Sequence, residues 1–249
     1  MPALLLRPTV LALGFAFALA PAAAADAPRY CRSVAAKLKA DGDLAAAARA
    51  AFGEPQATDD ETCLYPLQLL RYADFDVLVS QIGEPGEACH GCEATLSATV
   101  LKRVPGGAKR LRAFPSFAKG GTLGAVASVT PIAIGGDDGI AIESGGLFQG
   151  YASSALDLYA FRQRGLVPVE AGAPLIIAGD NSGAETDASK TITVESAWSL
   201  AAGELTIDYR VTDARGKSDS RAVWSVGDAA LTLKSGAPPK ALARATGQE

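Results

Sequence analysis

Alternation of apolar and polar residues at period two constrains this chain more than any other feature. Leu205, Ile207, Tyr209 and Val211 alternate with Glu204, Thr206, Asp208, Arg210 and Thr212. Ile192, Val194, Trp198 and Leu200 share one parity, with Thr191, Thr193, Glu195 and Ser199 on the other. Successive side chains of a strand point to opposite faces, so this pattern specifies sheets with one face in a core. The same period runs from Leu64 onward. It predicts strands over 66–72, 76–82, 94–104, 108–113, 153–162, 166–170, 174–178, 221–226 and 231–234. Ile132 and Ile134 are expected to face Ile140 and Ile142 across Gly135-Gly136-Asp137-Asp138-Gly139, a hairpin signal. Asp213-Ala214-Arg215-Gly216-Lys217 supplies another turn, with Gly216 suited to a left-handed position. Turns recur at short intervals, and nothing after residue 64 reads as the helices that parallel βαβ units require. The expected fold is mainly β: an antiparallel meander closing as a sandwich or barrel, with a short N-terminal helical segment.

The beginning of the chain reads differently. Residues 1–25 carry one charge, Arg7, then an apolar run from Leu11 to Ala20 and the small residues Ala22-Ala23-Ala24-Ala25. That order is the order of a secretory signal peptide, with Asp26 as the first mature residue. The apolar run is shorter than a membrane span needs, so no stable span is expected after cleavage. Residues 26–62 form the helical segment. Tyr30, Val34 and Leu38 fall on one helical face, Asp43 is placed to cap a second run from Leu44 to Phe52, and Gly53 and Pro55 end it. Gln56 to Thr62 reads as a loop. Residues 63–234 form the antiparallel β domain, and 235–249, with Pro238-Pro239, read as a flexible tail.

Composition narrows the chemistry. The 249 residues hold 23 Lys+Arg against 27 Asp+Glu, a net charge of −4. No broad basic surface follows, so nucleic acid is not an expected partner. With a single histidine, a Ser-His-Asp set has only His90 to use, and His-rich metal centres are excluded. No G-x-S-x-G, P-loop or dinucleotide fingerprint occurs, and Gly120-Gly121-Thr122-Leu123-Gly124 lacks the lysine of a P-loop. The acidic stretch from Asp180 to Asp187 has Gly183 fourth, not sixth, and so fails calcium-loop spacing. No cofactor is therefore expected, and no metal ligand or catalytic residue is assigned.

Reactive residue types converge at one place. Cys31, Cys63, Cys89 and Cys92 are an even number, which in an oxidising compartment suggests disulfides with three possible connectivities. Cys31–Cys63 with Cys89–Cys92 is the favoured arrangement. Within Cys89-His90-Gly91-Cys92-Glu93, haem attachment fails because Glu93 stands where the histidine must be. Zinc ligation is chemically conceivable but competes with oxidation. Thioredoxin-like exchange has the right spacing, yet the residues that follow read as a strand and not as the helix whose N-terminus stabilises a thiolate. A structural disulfide beside a surface histidine is favoured, and redox cycling of Cys89 and Cys92 tuned by His90 is the alternative. Aromatics on sheet faces (Tyr151, Tyr159 and Phe161; Trp198, Tyr209 and Trp224) read as core before ligand platform.

Val77–Ser80 and Ala88–Val100, followed by Gln149-Gly150-Tyr151 and Gly179-Asp180-Asn181-Ser182-Gly183, resemble an uncharacterised family of exported bacterial β-rich proteins with a Cys-His-x-Cys motif. The resemblance implies export and a β-rich body and carries no activity. The expected function is a non-enzymatic binding or structural protein of the cell envelope, periplasmic or secreted. Its partner would be an envelope protein or a small ligand. A redox-responsive protein, or a carbohydrate-binding or hydrolytic domain with a groove joining carboxylates to aromatics, are the alternatives.

Overall fold

The computed structural model describes residues 29–54, 56–58, 62–163 and 165–248. The signal peptide expected over 1–25 and the Asp59-Asp60-Glu61 stretch lie outside the described residues. The N-terminal elements are β1 (Arg29–Cys31), α1 (Val34–Ala40), α2 (Gly42–Phe52) and β2 (Gln56–Thr58). They are followed by β3 (Leu64–Arg71), β4 (Asp76–Ile82), β5 (Ala94–Val104) and β6 (Gly107–Gly120). These strands make one sheet, ordered β2-β1-β3-β4-β5-β6.

Tyr30 thus lies on a strand and not on the expected helical face. β1 pairs in parallel with both β2 and β3, whereas the other pairs of named strands among the described residues are antiparallel. The reason is tertiary. Tyr30 is buried, its hydroxyl donates to the Ala48 carbonyl at 3.1 Å, and the Cys31–Cys63 bond pins the strand beside β3. The segment 26–62 therefore supplies two strands to the sheet as well as its helices, and 56–58 is not loop. The cap of α2 is Asp41, whose Oδ1 accepts from the Leu44 N–H at 2.9 Å. Asp43 pairs instead with Arg71. Leu44 and the alanines 45, 47, 48 and 51 form the buried face of α2, and small side chains let the helix lie close on the sheet.

The second sheet holds β7 (Ser128–Ile134), β8 (Asp137–Phe148), β9 (Tyr151–Arg162), β10 (Gly165–Pro168) and β11 (Ile176–Asp180). It continues through β12 (Thr193–Ala201), β13 (Glu204–Asp213), β14 (Gly216–Val226) and β15 (Leu231–Gly236). The order is β15-β14-β13-β12-β11-β9-β8-β7, with β10 also on β9. The β7–β8 turn is only Gly135-Gly136, both at positive φ (61° and 88°), as a tight hairpin requires. Residues 137–139 therefore belong to β8, and Ile140 pairs with Pro131 and Ile142 with Val129. The expected facing of these isoleucines is corrected accordingly. Ile134 enters one core and Ile140 and Ile142 another.

The sheet curls on itself. Glu170, just past β10, makes a parallel bridge to Ala230, with the Leu231 N–H donating to the Glu170 carbonyl at 2.7 Å. This bridge returns β15 to the strand beside β9 and encloses a core of Leu156, Leu158, Leu205, Ile207, Tyr209 and Trp224 among others. A second core lies between the two sheets, joining Val77, Val79, Leu96 and Ala98 to Ile140 and Ile142. Residues 235–248 do not form the frayed tail expected over 235–249. Pro238-Pro239 lead into α3 (Ala241–Ala245), whose Leu242 and Ala245 are buried in the curled sheet's core. Their spacing puts both on one helical face.

Candidate functional site

The Cys89–Cys92 loop is part of the β4–β5 connection. The disulfide is formed, with Cα atoms 5.0 Å apart, and the Cys92 N–H donates to the Cys89 carbonyl at 2.9 Å. Cys89 and His90 are exposed, and Cys92 is half-buried. A turn precedes β5 here, so among the described residues no helix N-terminus faces either sulfur. The loop rests on two others. The Gly124 N–H donates to the Cys92 carbonyl at 2.8 Å, and the Gly86 N–H to the Leu123 carbonyl at 3.0 Å. Gly124 has φ +64°, and a Cβ there would stand 2.8 Å from that of Ala88. His90 Nε2 donates to the Leu147 carbonyl at 3.0 Å, which ties the loop to the β8–β9 hairpin tip. Cys31 and Cys63 lie on the other side of the same connection, where the Gly83 N–H donates to the Cys63 carbonyl at 2.7 Å. Glu84 stands near both of these sulfurs, which are already bonded to each other.

A cleft that sequence reasoning missed lies where the strand beside β9 is split. β10 covers Tyr159–Arg162 of β9 and β11 covers its Ala152–Ala155. Between them the chain from 169 to 175 leaves the sheet edge, held by the Val169 N–H on the Leu158 carbonyl at 2.8 Å and the Leu156 N–H on the Leu175 carbonyl at 2.9 Å. The resulting cleft measures about 490 Å³, within the range of small-molecule sites. Phe117 of β6, Asp157 and Tyr159 of β9, Glu170, Leu175 and Leu231 contribute to its walls. Leu156 and Leu158 point into the enclosed core. Asp157 therefore projects from the opposite face, toward the first sheet, with Tyr159 and Phe161.

The electrostatics of this cleft are one-sided. Asp157 is half-buried, and among the described residues it has no hydrogen bond or ion pair. Desolvation first, and the Glu93 carboxylate second, hold its carboxyl above the ordinary aspartate value. Burial, followed by the charge of Asp157, pushes the Tyr159 phenol up to about 12. Tyr159 packs edge-on against Phe117, with ring centroids 5.1 Å apart. Among the described residues, lysine, arginine and histidine do not occur in the lining. Glu93 is the residue after Cys92, so a charge at the end of the disulfide loop reaches Asp157 in the cleft.

The other residues singled out from sequence are engaged structurally. Asp180 accepts from the Ser182 N–H at 2.7 Å and the Thr193 hydroxyl at 2.8 Å, and Asp187 accepts from Ser189. These bonds hold both carboxyls below their ordinary values and make the 180–187 stretch a hydrogen-bonded turn. Phe161 joins Tyr72, Phe75 and Phe114 in an aromatic cluster between the sheets. Tyr209 and Trp224 are core, and Trp198 Nε1 donates to Glu143 at 2.7 Å. Comparison with protein families, curated proteins and solved structures finds no match for this chain.

Proposed function

We propose that this chain is an exported, disulfide-stapled β-rich module of the cell envelope that binds a small ligand in the Asp157 cleft without chemical turnover. The observation that carries the binding site is the unpaired, half-buried carboxyl on the wall of a 490 Å³ cleft. Removing a carboxylate from water without giving it a partner is unfavourable, and a ligand that supplies the partner recovers that cost. Export rests on the signal-like order of residues 1–25, on the two disulfides and on the likeness to exported Cys-His-x-Cys proteins. The site is tested by amide NMR of the isotope-labelled protein against a small-molecule library. Hits should shift the amides of Asp157, Tyr159 and residues 169–175, and hits confined to other surfaces reject the cleft. Hydrolase and oxidoreductase panels should be blank. Robust turnover abolished by Asp157→Asn would reject the non-enzymatic part.

A second reading is favoured by the exposure of Cys89 in a bonded pair three residues apart. In it, Cys89 and Cys92 cycle between disulfide and dithiol, with His90 beside the sulfurs. The equilibrium of the pair with glutathione measures its potential. A value below about −300 mV marks a structural bond and removes this reading.

A further inference from the structure

Resting on the cleft as the binding site, we infer that its ligand is an organic cation: a protonated amine or guanidinium carried on an apolar body. The charges facing the cleft are of one sign. Asp157 and Glu170 line it, Glu93 stands close enough to perturb Asp157, and among the described residues the lining includes no basic side chain. Walls of low dielectric concentrate such a field, so a cation gains there and an anion loses. The Tyr159 phenol stays protonated and adds no charge at neutral pH.

The rest of the wall selects the body of the ligand. Phe117 and Tyr159 present packed rings, and Leu175 and Leu231 add aliphatic surface. Aromatic faces attract a cation as well as its hydrocarbon. An inorganic ion would leave this surface unused. The unpaired Asp157 carboxylate is the anchor, and the length of the body sets how much of the apolar wall is covered.

Three probes of one shape make the test: phenethylamine, phenethyl alcohol and phenylacetate, titrated into the full-length mature protein and followed by amide NMR. Calcium chloride alone is a fourth arm. Phenethylamine should bind at least about tenfold more tightly than the alcohol, phenylacetate should bind more weakly still, and calcium alone should not match the amine. Asp157→Asn, checked for an unchanged dispersed spectrum, should bring amine and alcohol to within about twofold of each other. Phe117→Ala should weaken both, the amine at least as much as the alcohol, because the ring attracts the cation as well as the hydrocarbon. If the three organic probes shift the 169–175 amides with equal affinity, the cleft stands and the cation claim is overturned. Calcium binding as tightly as phenethylamine overturns it too. If no probe shifts those amides, the cleft itself falls, and the cation with it.

Discussion

Two aspartates show how position decides what a carboxyl does in this protein. Asp76 is buried between Arg71 and Arg103, at 2.9 and 2.7 Å, and Arg103 also reaches the carbonyls of Tyr72 and Ala73. Removing Asp76 leaves two guanidinium groups without their shared anion at the β3–β4 turn. Asp76→Ala should cost about 3 kcal/mol, read as a lowered urea midpoint. An unchanged midpoint would show that water replaces the carboxylate at no cost. Asp157 is the opposite case. Its folded pKa is raised by burial and then by Glu93, so its neutral form is the one the fold prefers. The stability it contributes is complete below the ordinary aspartate value and is lost as pH rises through the raised one. Asp157→Asn should therefore raise Tm at neutral pH by about 1–2 °C, and the gain should vanish in acid. A lower Tm at neutral pH would mean that the carboxylate holds the cleft together. Stability given up at a binding residue is a common trade in proteins.

At the scale of elements, the two disulfides should differ by their loops. The Cys31–Cys63 bond spans 32 residues and fastens β1 to the β body, and Cys89–Cys92 spans three. Losing the first by paired serine substitution should cost about 3–4 kcal/mol, and the second about 1–2, by the chain-entropy relation. Equal losses in chemical denaturation would place the stabilisation in native contacts instead. Leu242→Ala tests the C-terminal helix. It should cost about 2–5 kcal/mol if α3 is part of the core, and close to nothing if the segment is a loose tail. Local pattern reveals elements whose signal is local. The alternation of Leu96 and Ala98 with Thr95, Ser97 and Thr99 defines β5, and 76–82 defines β4, with the bounds the structure has. β1 escapes because three residues have no period, and its pairing partners lie 27 and 34 positions away. The β7–β8 register escapes because a two-residue turn moves each later residue to the other face. The Asp157 cleft escapes for a related reason. In Ala155-Leu156-Asp157-Leu158-Tyr159 the aspartate sits on the polar parity, which by itself reads as solvent face. Only the first sheet, bringing Phe117 of β6 over that face, turns it into a pocket.

The whole molecule is joined at β8. Ala141 faces the core inside the curled sheet, and Ile140 and Ile142 face the core between the sheets, so one strand has both faces buried. The Tyr72 hydroxyl adds a direct tie, donating to the Gly139 carbonyl at 2.6 Å, and burial holds that phenol well above its ordinary range. Neither sheet can then expose its side of the shared core without loss to the other, which predicts one cooperative unfolding transition. The protein carries its own reporters for this. Trp198 and Trp224, the two tryptophans of the chain, both lie in the second sheet, whereas far-ultraviolet circular dichroism reads both. Urea unfolding followed by tryptophan fluorescence and by circular dichroism should give coincident curves. Ile140→Ala, which opens a cavity between the sheets, should move both curves together by about 2–5 kcal/mol. Separation of the two curves, or a shift in one alone, would divide the molecule into independent halves. The cleft would then sit on the seam of two loosely joined bodies, because Phe117 comes from one sheet and Asp157 from the other.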